Sequence, residues 1–540
     1  GYVSFESDST IVEKLSGLFP IFFFLIAALV CSTTMTRMID DERTQIGTLR
    51  ALGYSRGSIL AKYLLYSGSA AALGCVIGYF AGGYVFPFVI WTAYGMLYSI
   101  PGFVILYDPV LFVIALAASL LCSAGTTYLA LRIEMQNMPA NLIRPKTPAA
   151  GKRIFLERIT PLWKRLKFLH KVSLRNIFRF KKRMIMMILG IAGCTALVLT
   201  GFGIHDSVAN IANFQFDDIQ KYDVSAQFSD TLTEDKINEV ESDHKSELDA
   251  ATAVQMTSGD VTGDSITKSA YIVASDDPAI TDIFDLHIDG ETVPYPGKGE
   301  VLLTEKLAEL TDIKTGDTVT VSVSDTEKAE LKVAGLVENY VQNYLYMTGE
   351  TYAMVADKGY EPKTLLLRVN DSADEYALSA ALSKTDGVSS VSVVTDTRNM
   401  IDQMMQSLNY VVALVLISAG ALAFIVLFNL GNINLTERVR EIATIKVLGF
   451  HSGETGAYVF RENIILSMMG IVVGLPLGVL LHTFVLMQIR VDMVSFKAVI
   501  APVSFLLTVV MVVLFTVITD LVMRKKIAKI DMAESLKSIE

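Results

Sequence analysis

Residues 41–58 read DERTQIGTLRALGYSRGS, and residues 437–454 read ERVREIATIKVLGFHSGE. The two stretches pair without a gap at an offset of 396 positions, and both keep an Ile-x-Thr-x-x-x-Leu-Gly frame. The apolar segments that follow them also match at this offset, because Gly74, Gly78 and Gly82 fall on Gly470, Gly474 and Gly478. A charged loop duplicated together with the apolar segment behind it predicts a repeated membrane module.

The composition is that of a membrane protein. Apolar residues make up 52% of the 540 residues, charged residues make up 19%, and the mean hydropathy is +0.45; an ordinary soluble domain is less apolar. A helix needs about 20 apolar residues to cross a hydrocarbon core about 30 Å thick. Seven segments reach that length: residues 15–35, 63–89, 109–131, 184–204, 410–430, 464–487 and 503–523.

Charge is segregated along the chain, and the segregation predicts the topology. Residues 132–183 hold fifteen Lys or Arg against two acidic residues, so the positive-inside rule places them in the cytoplasm. Residues 206–402 hold 38 acidic and 14 basic residues, a net charge of −24 against −10 for the whole chain, and are predicted to lie outside. One crossing at each span from these two anchors puts both repeated loops and the C-terminus in the cytoplasm.

Between the spans at 184–204 and 410–430 the pattern changes from helical to strand-like. Short β-rich runs stand between Gly, Asp and Pro turns, while residues 376–384 have a helical pattern. This predicts a mixed α/β domain on stalks that continue into the spans from Met184 and Tyr410, the second stalk being residues 399–408. The strand-like runs are residues 270–274, 318–323, 330–337, 364–369 and 388–394.

A basic linker follows the first module. It begins with three prolines and then places Leu162, Trp163, Leu166 and further apolar residues at near-helical spacing among basic residues that include Lys164 and Arg165. Such a segment is expected to lie along the inner leaflet as an elbow helix before the span at Met184. The alternative is an ordinary cytoplasmic helix that obeys the positive-inside bias.

These patterns divide the chain into six segments. The chain starts at Gly1 and shows no signal-peptide pattern, so it is expected to be a piece of a longer protein, with residues 1–14 ending a preceding outer stalk. The other segments are a first three-span unit (15–138), the linker and elbow helix (139–183), the first span of a second module (184–205), the outer domain (206–400) and a second three-span unit with stalk and cytoplasmic tail (401–540).

Several motifs, in this order, resemble the FtsX/MacB-type permeases of ABC transporters. They are ALGYS at 51–55 with its partner VLGF at 447–450, SLRNIFR at 173–179, and GEVLLTE at 299–305 with KTGDTV at 314–319. The resemblance covers essentially the whole chain: residues 175–540 match one full module, and residues 1–138 match the tail of a preceding one. It implies a large two-module permease, which is an α-helical polytopic membrane protein with two FtsX-like three-helix units and one inserted extracytoplasmic α/β domain.

The resemblance also implies that this chain is not an enzyme. The sequence contains no G-x-x-x-x-G-K-[ST] phosphate loop, so this chain is expected to bind no cofactor, and ATP and Mg²⁺ are expected on a separate dimer of ABC ATPase subunits. By resemblance, the repeated loops at 38–54 and 433–450 are coupling helices that seat in grooves of those subunits. The alternative is that they are tight re-entry turns with positive-inside charge.

Each coupling helix is expected to present one apolar arc and to end at a glycine. The first arc comprises Met38, Ile39, Ile46, Leu49 and Leu52, and the second comprises Leu435, Val439, Ile442 and Ile445. The candidate ATPase-coupling residues are Arg43, Ile46, Arg50, Leu52 and Gly53 in the first copy, and Glu437, Arg438, Glu441, Lys446, Leu448 and Gly449 in the second.

The glycine series is expected to serve helix packing. Small residues at every fourth position let helices approach closely, which is the favoured interpretation of Gly74, Gly78, Gly82, Gly470, Gly474 and Gly478 over a substrate path.

Other features predict no chemistry. All four cysteines fall in predicted spans, so neither a disulfide framework nor a Cys-based zinc site is expected, and the histidines lack metal-ligand spacing. Asp520 lies four residues before Arg524 at the inner end of the last span. An interfacial ion pair is expected there, with an intramembrane function of the carboxylate as the alternative.

The predicted function is that of a permease subunit of an ABC transporter in a bacterial plasma membrane. It would couple ATP hydrolysis by its partner to motion of the outer domain, that is mechanotransmission, or to export of a peptide, antibiotic or lipid-linked cargo. A rival from another class is a non-transporting scaffold or sensor that regulates a cell-envelope partner. The expected partners are the ATPase dimer, membrane lipids and an extracytoplasmic protein or peptide, with no nucleic acid.

Overall fold

The computed structural model of the protein consists of long apolar helices and one α/β domain. It describes residues 2–95, 102–143, 171, 174–175, 177–178, 181–263, 266–324, 326–437, 439–449, 452–489 and 494–528. Within these ranges seven helical segments are long and apolar enough to cross a membrane: Ser16–Asp41, Arg56–Tyr94, Pro109–Glu134, Met184–Ile219, Val394–Thr436, Phe460–Gln488 and Pro502–Ile527. Their number confirms the seven predicted spans. The predicted elbow helix falls mostly on residues 144–170, outside the described ranges.

The chain divides into two compact units. The membrane unit comprises Glu13–Asp206, Tyr410–Gln488 and Ala498–Glu540, and the outer unit comprises Gly1–Val12, Ser207–Asn409 and Ile489–Lys497. The last of these segments differs from the sequence-based boundaries, which assigned all of residues 401–540 to the second three-span unit.

The first repeat of the membrane unit is a series of helices, two of which begin at a side-chain N-cap. The Ser55 hydroxyl accepts the N–H of Ser58 at 3.1 Å, and the Asp108 carboxylate accepts the N–H of Val110 at 2.8 Å, which satisfies backbone donors that a helix start leaves open. Proline at the first position after Asp108 favours the same start. The helices are α1 (Tyr2–Asp41), α2 (Arg43–Ala51), α3 (Arg56–Tyr94), α4 (Pro109–Leu120), a π-helical turn (Leu121–Gly125), α5 (Thr126–Glu134) and α6 (Pro139–Ile143).

The outer unit is built on a mixed sheet. The described elements, after α7 (Lys181–Ala209), are α8 (Ile211–Asn213), a π-helical turn (Phe214–Ile219), β1 (Val224–Phe228), α9 (Glu234–Asp243), β2 (Leu248–Thr262), β3 (Thr267–Ala274), α10 (Ile280–Ile283), β4 (His287–Ile288), β5 (Glu291–Thr292), β6 (Glu300–Thr304), α11 (Glu305–Thr311), β7 (Thr318–Ser322), β8 (Lys328–Val337), β9 (Tyr344–Met347), α12 (Gly349–Val355), β10 (Thr364–Val369), α13 (Glu375–Leu382) and β11 (Val388–Val393). Nine of these strands form the sheet, in the order β11-β1-β10-β2-β3-β9-β6-β8-β7; the β3–β9 and β6–β8 pairs are parallel, and the others are antiparallel.

Strand β2 holds the two halves of this sheet together. Its first half pairs with β10, and its second half pairs with β3 and β7. The sheet is covered on both faces, because Ile272 and Ala274 of β3 belong to one hydrophobic cluster while Val273, which points to the opposite face, belongs to another. The predicted runs coincide with β3, β7, β8, β10 and β11, whereas β1, β2, β6 and β9 were not predicted as strands.

The second repeat follows the outer unit in the chain. A single helix, α14 (Val394–Glu437), includes both the predicted stalk at 399–408 and the span from Tyr410. It is followed by α15 (Val439–Val447), α16 (Ser452–Gln488) and α17 (Pro502–Ala528).

The two repeats meet through equivalent helices. Arg37 of α1 donates to the carbonyl of Ile433 in α14 at 2.7 Å, and Asn429 donates to the Thr34 hydroxyl at 2.8 Å. Position 433 is the counterpart of position 37 at the repeat offset of 396. The contact therefore lies where the two copies face each other.

The two glycine series have different surroundings. A Cβ at Gly470 would stand 2.5 Å from Ile191 Cγ2, one at Gly474 would stand 2.6 Å from Thr195 Cβ, and one at Gly478 would stand 2.9 Å from Leu199 Cβ. Helix α16 therefore packs closely on α7 through these three positions. In the first repeat, a Cβ at Gly74, Gly78 or Gly82 would meet no atom of the described residues within 4 Å.

Substitution of one glycine from each series tests this difference. Gly474→Ala should lower the free energy of unfolding by about 1–3 kcal/mol, because the new methyl group overlaps Thr195 Cβ and the Ala192 carbonyl. Gly78→Ala, the matched control, should be neutral or slightly stabilising, since alanine is the better helix former. Thermal unfolding of both variants in one detergent measures the effect, and equal losses would contradict the packing difference.

Candidate functional site

The first repeated loop contains a one-residue break before its short helix. Helix α1 ends at Asp41 and α2 begins at Arg43. Glu42, between them, accepts hydrogen bonds from the Tyr63 hydroxyl at 2.5 Å and from Lys62 Nζ at 3.2 Å. The bond from Tyr63, helped by Lys62, lowers the pKa of Glu42 although burial opposes the shift. A charged carboxylate therefore ties the break to α3.

Both short helices end in the same left-handed turn. Gly53 has φ +91° and Gly449 has φ +93°, a region that strains residues with a Cβ. Gly53 N–H donates to Arg50 O at 3.2 Å and Tyr54 N–H donates to Leu49 O at 3.1 Å, which is the Schellman pattern. In the second copy, Gly449 N–H donates to Lys446 O at 3.0 Å.

The apolar side of α2 faces its own repeat. Ile46 is 1% exposed and lies in a cluster with Ile39, Ile59, Tyr63, Leu131, Met135 and Leu142. Gly47 is so close to α6 that a Cβ there would stand 2.9 Å from Ile143 Cγ1. The predicted single arc is wrong in two respects: Met38 and Ile39 belong to α1, beyond the break at Glu42, and Leu52 is exposed.

A basic residue anchors each short helix to the last span of its own repeat. Arg50 donates to the carbonyls of Met135 at 3.0 Å and Asn137 at 2.5 Å, just past the end of α5. Its counterpart Lys446 donates to the carbonyl of Ile527 at 2.9 Å, near the end of α17. The last carbonyls of a helix lack partners within it and carry the negative end of its dipole, so they attract a cation.

Of the other predicted ATPase-coupling residues of the first loop, the side chain of Arg43 also contacts its own repeat, whereas that of Leu52 is exposed. Arg43 Nε lies 3.4 Å from Glu134 Oε2 in a largely buried ion pair. Leu52, in contrast, is 72% exposed, and Tyr54 beside it is 57% exposed.

The second loop shows the same contrast between a buried apolar residue and an exposed leucine. Ile442 of α15 is fully buried with Leu435, Met523 and Ile527, whereas Leu448 is 71% exposed. Arg438 and Phe450 lie outside the described residues, as do the side chains of Glu437 and Glu441. Each repeat therefore presents one exposed leucine, Leu52 or Leu448, beside a helix-ending glycine.

In the outer unit, a buried glutamine organises a loop after β8. Gln215 is 1% exposed, and its carbonyl oxygen accepts the N–H groups of Tyr340 and Val341, each at 2.9 Å. Its amide donates to Asn339 Oδ1 at 2.9 Å. The loop is thereby held in one conformation.

Residues 494–497 pair with this loop. Val494 forms an antiparallel bridge with Val341, and Ser495 N–H donates to Tyr340 O at 2.9 Å. Lys497 Nζ lies 2.9 Å from Glu338 Oε2 and 5.7 Å from the centre of the Tyr340 ring. We call these contacts the clasp.

Glu338 is the charged centre of the clasp. Burial acts to raise the pKa of its carboxyl, but hydrogen bonds from the Tyr340 hydroxyl, Lys497 and the Asp289 N–H outweigh burial, so the pKa of Glu338 is lowered. The carboxylate is therefore ionised at neutral pH and pairs with Lys497.

Beside the clasp lies a cavity of about 320 Å³, within the range of small-molecule sites. Phe216, Tyr222, Met400 and Val494 contribute apolar walls, and Gln220 contributes an amide. Its described lining contains no charged side chain.

Two further sequence-based interpretations concern metals and Asp520. No group of three His, Cys, Asp or Glu side chains that could hold a metal ion occurs in the part of the chain that the structure describes. The expected ion pair between Asp520 and Arg524 is not formed; Asp520 instead accepts a hydrogen bond from Asn463 at 2.8 Å. The two residues are four positions apart on one helix, but Asp520 is buried while Arg524 is exposed.

The fold and the repeated loops define a polytopic membrane protein with two equivalent three-span units and one inserted outer α/β domain. The model of the FtsX-like permease C-terminal domain matches residues 17–135 and 413–532, and the model of the MacB-like periplasmic core domain matches residues 184–385. The chain belongs to the FtsX/MacB-like family of ABC transporter permeases. Permeases of this family work with ABC ATPase subunits.

Two solved structures are similar to part of the chain. One is the extracellular domain of the noncanonic ABC-type transporter YknZ from Gram-positive bacteria, at 14% identity and a TM-score of 0.24, covering 32% of this chain and 98% of that one. The other is the periplasmic region of MacB from Actinobacillus actinomycetemcomitans, at 14% identity and a TM-score of 0.24, covering 34% and 94%. No curated protein matches the chain.

Removal of the Arg50 anchor should loosen the first short helix. Arg50→Met deletes two charge-assisted hydrogen bonds, each worth about 1.5–3 kcal/mol, while it keeps most of the side-chain length. We expect amide hydrogen exchange across residues 43–54 to accelerate by about tenfold or more. Arg56→Met, an exposed arginine just beyond the turn, is the matched control and should leave exchange unchanged; equal protection in the two variants would exclude the anchor.

The stability that the clasp contributes should decrease at acidic pH. Because the pKa of Glu338 in the folded protein is below its ordinary value of 4.5, its ionisation contributes stability above pH 4.5 that is lost as the pH falls through the folded pKa. The melting temperature of Glu338→Gln should lie below that of the unchanged protein at pH 7, by an amount that corresponds to about 1–3 kcal/mol.

The two melting temperatures should converge as the pH is lowered below 4.5. Glu350→Gln removes an exposed pair with Lys298 and should have little effect at any pH. A gap between Glu338→Gln and the unchanged protein that is the same at pH 7 and pH 4 would contradict the assignment.

Proposed function

We propose that this chain is the transmembrane subunit of an ABC transporter complex in a bacterial plasma membrane, and that it transmits the closure of a separate ATPase dimer to the outer domain. The single observation that carries the proposal is the pair of short cytoplasmic helices. Each presents an exposed leucine at its end, Leu52 or Leu448, and each is anchored by a cation to the last span of its own repeat.

This arrangement suits force transmission. An ATPase groove that takes up Leu52 would push on a helix whose other side is locked by Ile46 in the apolar cluster and by Arg50 on the end of α5. The equivalent push on Leu448 would pass through Lys446 to α17. A re-entry turn that only reverses the chain does not require two equivalent anchors.

ATP and Mg²⁺ belong to the partner in this proposal. The ATPase dimer hydrolyses ATP, and this chain supplies the surfaces that receive the movement. No catalytic residue is assigned to the chain.

The clasp supplies a route to the outer domain. Residues 489–501 connect α16 to α17 in the sequence, and Ser495 and Lys497 among them bind the loop at Glu338–Tyr340. Movement of these two spans would therefore act on the outer unit through a bonded loop. Export of a cargo is the second candidate, favoured by the uncharged cavity of about 320 Å³ beside the clasp.

Exchange of the exposed leucines tests the coupling. Leu52→Ser and Leu448→Ser remove apolar surface that makes no contact in the core, so the chain should insert and fold as before. The ATPase activity that the permease stimulates in its co-purified partner should fall by about fivefold or more in each variant, since a buried leucine at an interface contributes about 1.5–3 kcal/mol.

Met138→Ser is the matched control, because Met138 is 73% exposed outside both repeated loops. It should retain full stimulation. Unchanged stimulation in both leucine variants would exclude the loops as docking surfaces. Absence of any ATPase from the native complex would leave the scaffold or sensor as the function.

A further inference from the structure

A polar cluster is buried among the apolar helices of the membrane unit. Asn434 of α14 donates its amide to Asn463 Oδ1 of α16 at 2.6 Å, and Asn463 donates to Asp520 Oδ1 of α17 at 2.8 Å. Nearby, Thr516 donates to the Ser467 hydroxyl at 3.1 Å. All five side chains are buried, so three spans are joined by polar groups that apolar residues could have replaced.

This cluster borders a small cavity. Its volume of about 10 Å³ is close to the minimum for one guest of the size of a water molecule. Met187, Ile191, Leu427 and Leu430 line the apolar side. The polar side consists of five residues that all carry a side-chain oxygen: Asn463, Ser467, Thr516, Thr519 and Asp520.

One of these oxygens has no partner within the described ranges. Thr519 is 2% exposed, and its hydroxyl makes no hydrogen bond to any described residue. The large majority of buried side-chain polar atoms are paired, and this hydroxyl lines the cavity beside Asp520. The missing partner is therefore evidence for a guest in the cavity.

An ionised Asp520 would have no counter-charge among the described residues. No described Lys or Arg forms an ion pair with it, and its hydrogen-bond partner, the Asn463 amide, is neutral. A carboxylate within the membrane is costly unless its charge is balanced. A guest with one positive charge would both balance Asp520 and satisfy the Thr519 oxygen.

We propose that this cavity binds one dehydrated monovalent cation of the size of Na⁺, with Asp520 as its charged ligand and Ser467, Thr516 and Thr519 as neutral ligands. Oxygen donors are what hard cations prefer. One carboxylate balances one positive charge, whereas a divalent ion would leave a net charge in the apolar interior. The site needs no ATPase, so it can be tested independently of the proposed function.

The first repeat does not provide the same ligands. At the offset of 396, Ser67 replaces Asn463 and Ala71 replaces Ser467. When the last spans are aligned on Pro109-Val110 and Pro502-Val503, Thr127 replaces Asp520, but Ser123 and Thr126 stand at the positions of Thr516 and Thr519. The charged ligand Asp520 and the hydroxyl of Ser467 are therefore specific to the second repeat, whereas both repeats carry hydroxyls equivalent to those of Thr516 and Thr519.

The site adjoins the anchor of the second short helix. Met523 and Ile527, about one and two turns beyond Asp520 on α17, pack on Ile442 of α15, and Lys446 binds the carbonyl of Ile527. A bound cation would join α14, α16 and α17 close to this anchor. Occupancy would thus stabilise the end of the repeat that carries α15.

The test is the melting temperature of the full chain in detergent as NaCl replaces choline chloride at constant ionic strength and pH. Because a ligand that binds only the folded state stabilises it by mass action, the melting temperature should rise with Na⁺ along a saturable curve. Equilibrium dialysis with radioactive Na⁺ should give about one ion per chain.

Two variants locate the ion. Thr519→Val keeps the side-chain shape but removes one ligand, and should shift the half-saturating Na⁺ concentration upward by about fivefold or more. Asp520→Asn should abolish both the shift and the bound ion. Thr508→Val is the matched control, because Thr508 is equally buried on α17 but its hydroxyl is paired within the described residues, with the Ser504 carbonyl; its Na⁺ response should be unchanged.

The outcomes separate the cation from the other guests. A melting temperature that responds to pH but not to Na⁺ would overturn the proposal and assign a proton on Asp520 or a water molecule to the cavity. A Na⁺ response that is identical in Thr519→Val and Thr508→Val would place the ion elsewhere and also overturn it. If Asp520→Asn does not fold, Thr519→Val still decides.

Discussion

A cation on the carbonyl end of a membrane helix fixes the short helix of each repeat. Arg50 occupies the carbonyls beyond α5, and Lys446 occupies the carbonyl of Ile527 in α17. A helix that ends at the membrane surface leaves its last carbonyls without intrahelical partners, so one basic side chain satisfies them and fixes the neighbouring short helix. The left-handed glycines, Gly53 and Gly449, then set where each short helix stops.

The outer unit uses buried polar groups in a comparable way. Gln215 satisfies two backbone N–H groups of the loop after β8, and Glu338 holds Lys497 from the segment between the last two spans. Each of these side chains bridges parts of the chain more than 100 residues apart. Buried hydrogen bonds of this kind are directional, so they specify one arrangement where an apolar contact would allow several.

The structure assigns different roles to residues that looked alike in the sequence. Arg50 and Leu52 were both candidates for contact with the ATPase, but Arg50 is directed to Met135 and Asn137 while Leu52 is exposed. Ile46 was predicted on an arc for the partner and instead fills the core of its own repeat. Helical periodicity identifies an apolar face, but it does not say which of two apolar surroundings the face meets.

Properties that belong to one segment were determined by the sequence alone. Span length, charge segregation, the repeat at an offset of 396 and the helix-ending glycines are local, because hydrophobicity, charge and backbone freedom act on neighbouring residues. Properties that join distant segments were decided only by the tertiary structure. The close packing of Gly474 but not of Gly78, the partner of Asp520 and the pairing of Val494 with Val341 each depend on atoms that chain folding brings together from far apart in the sequence.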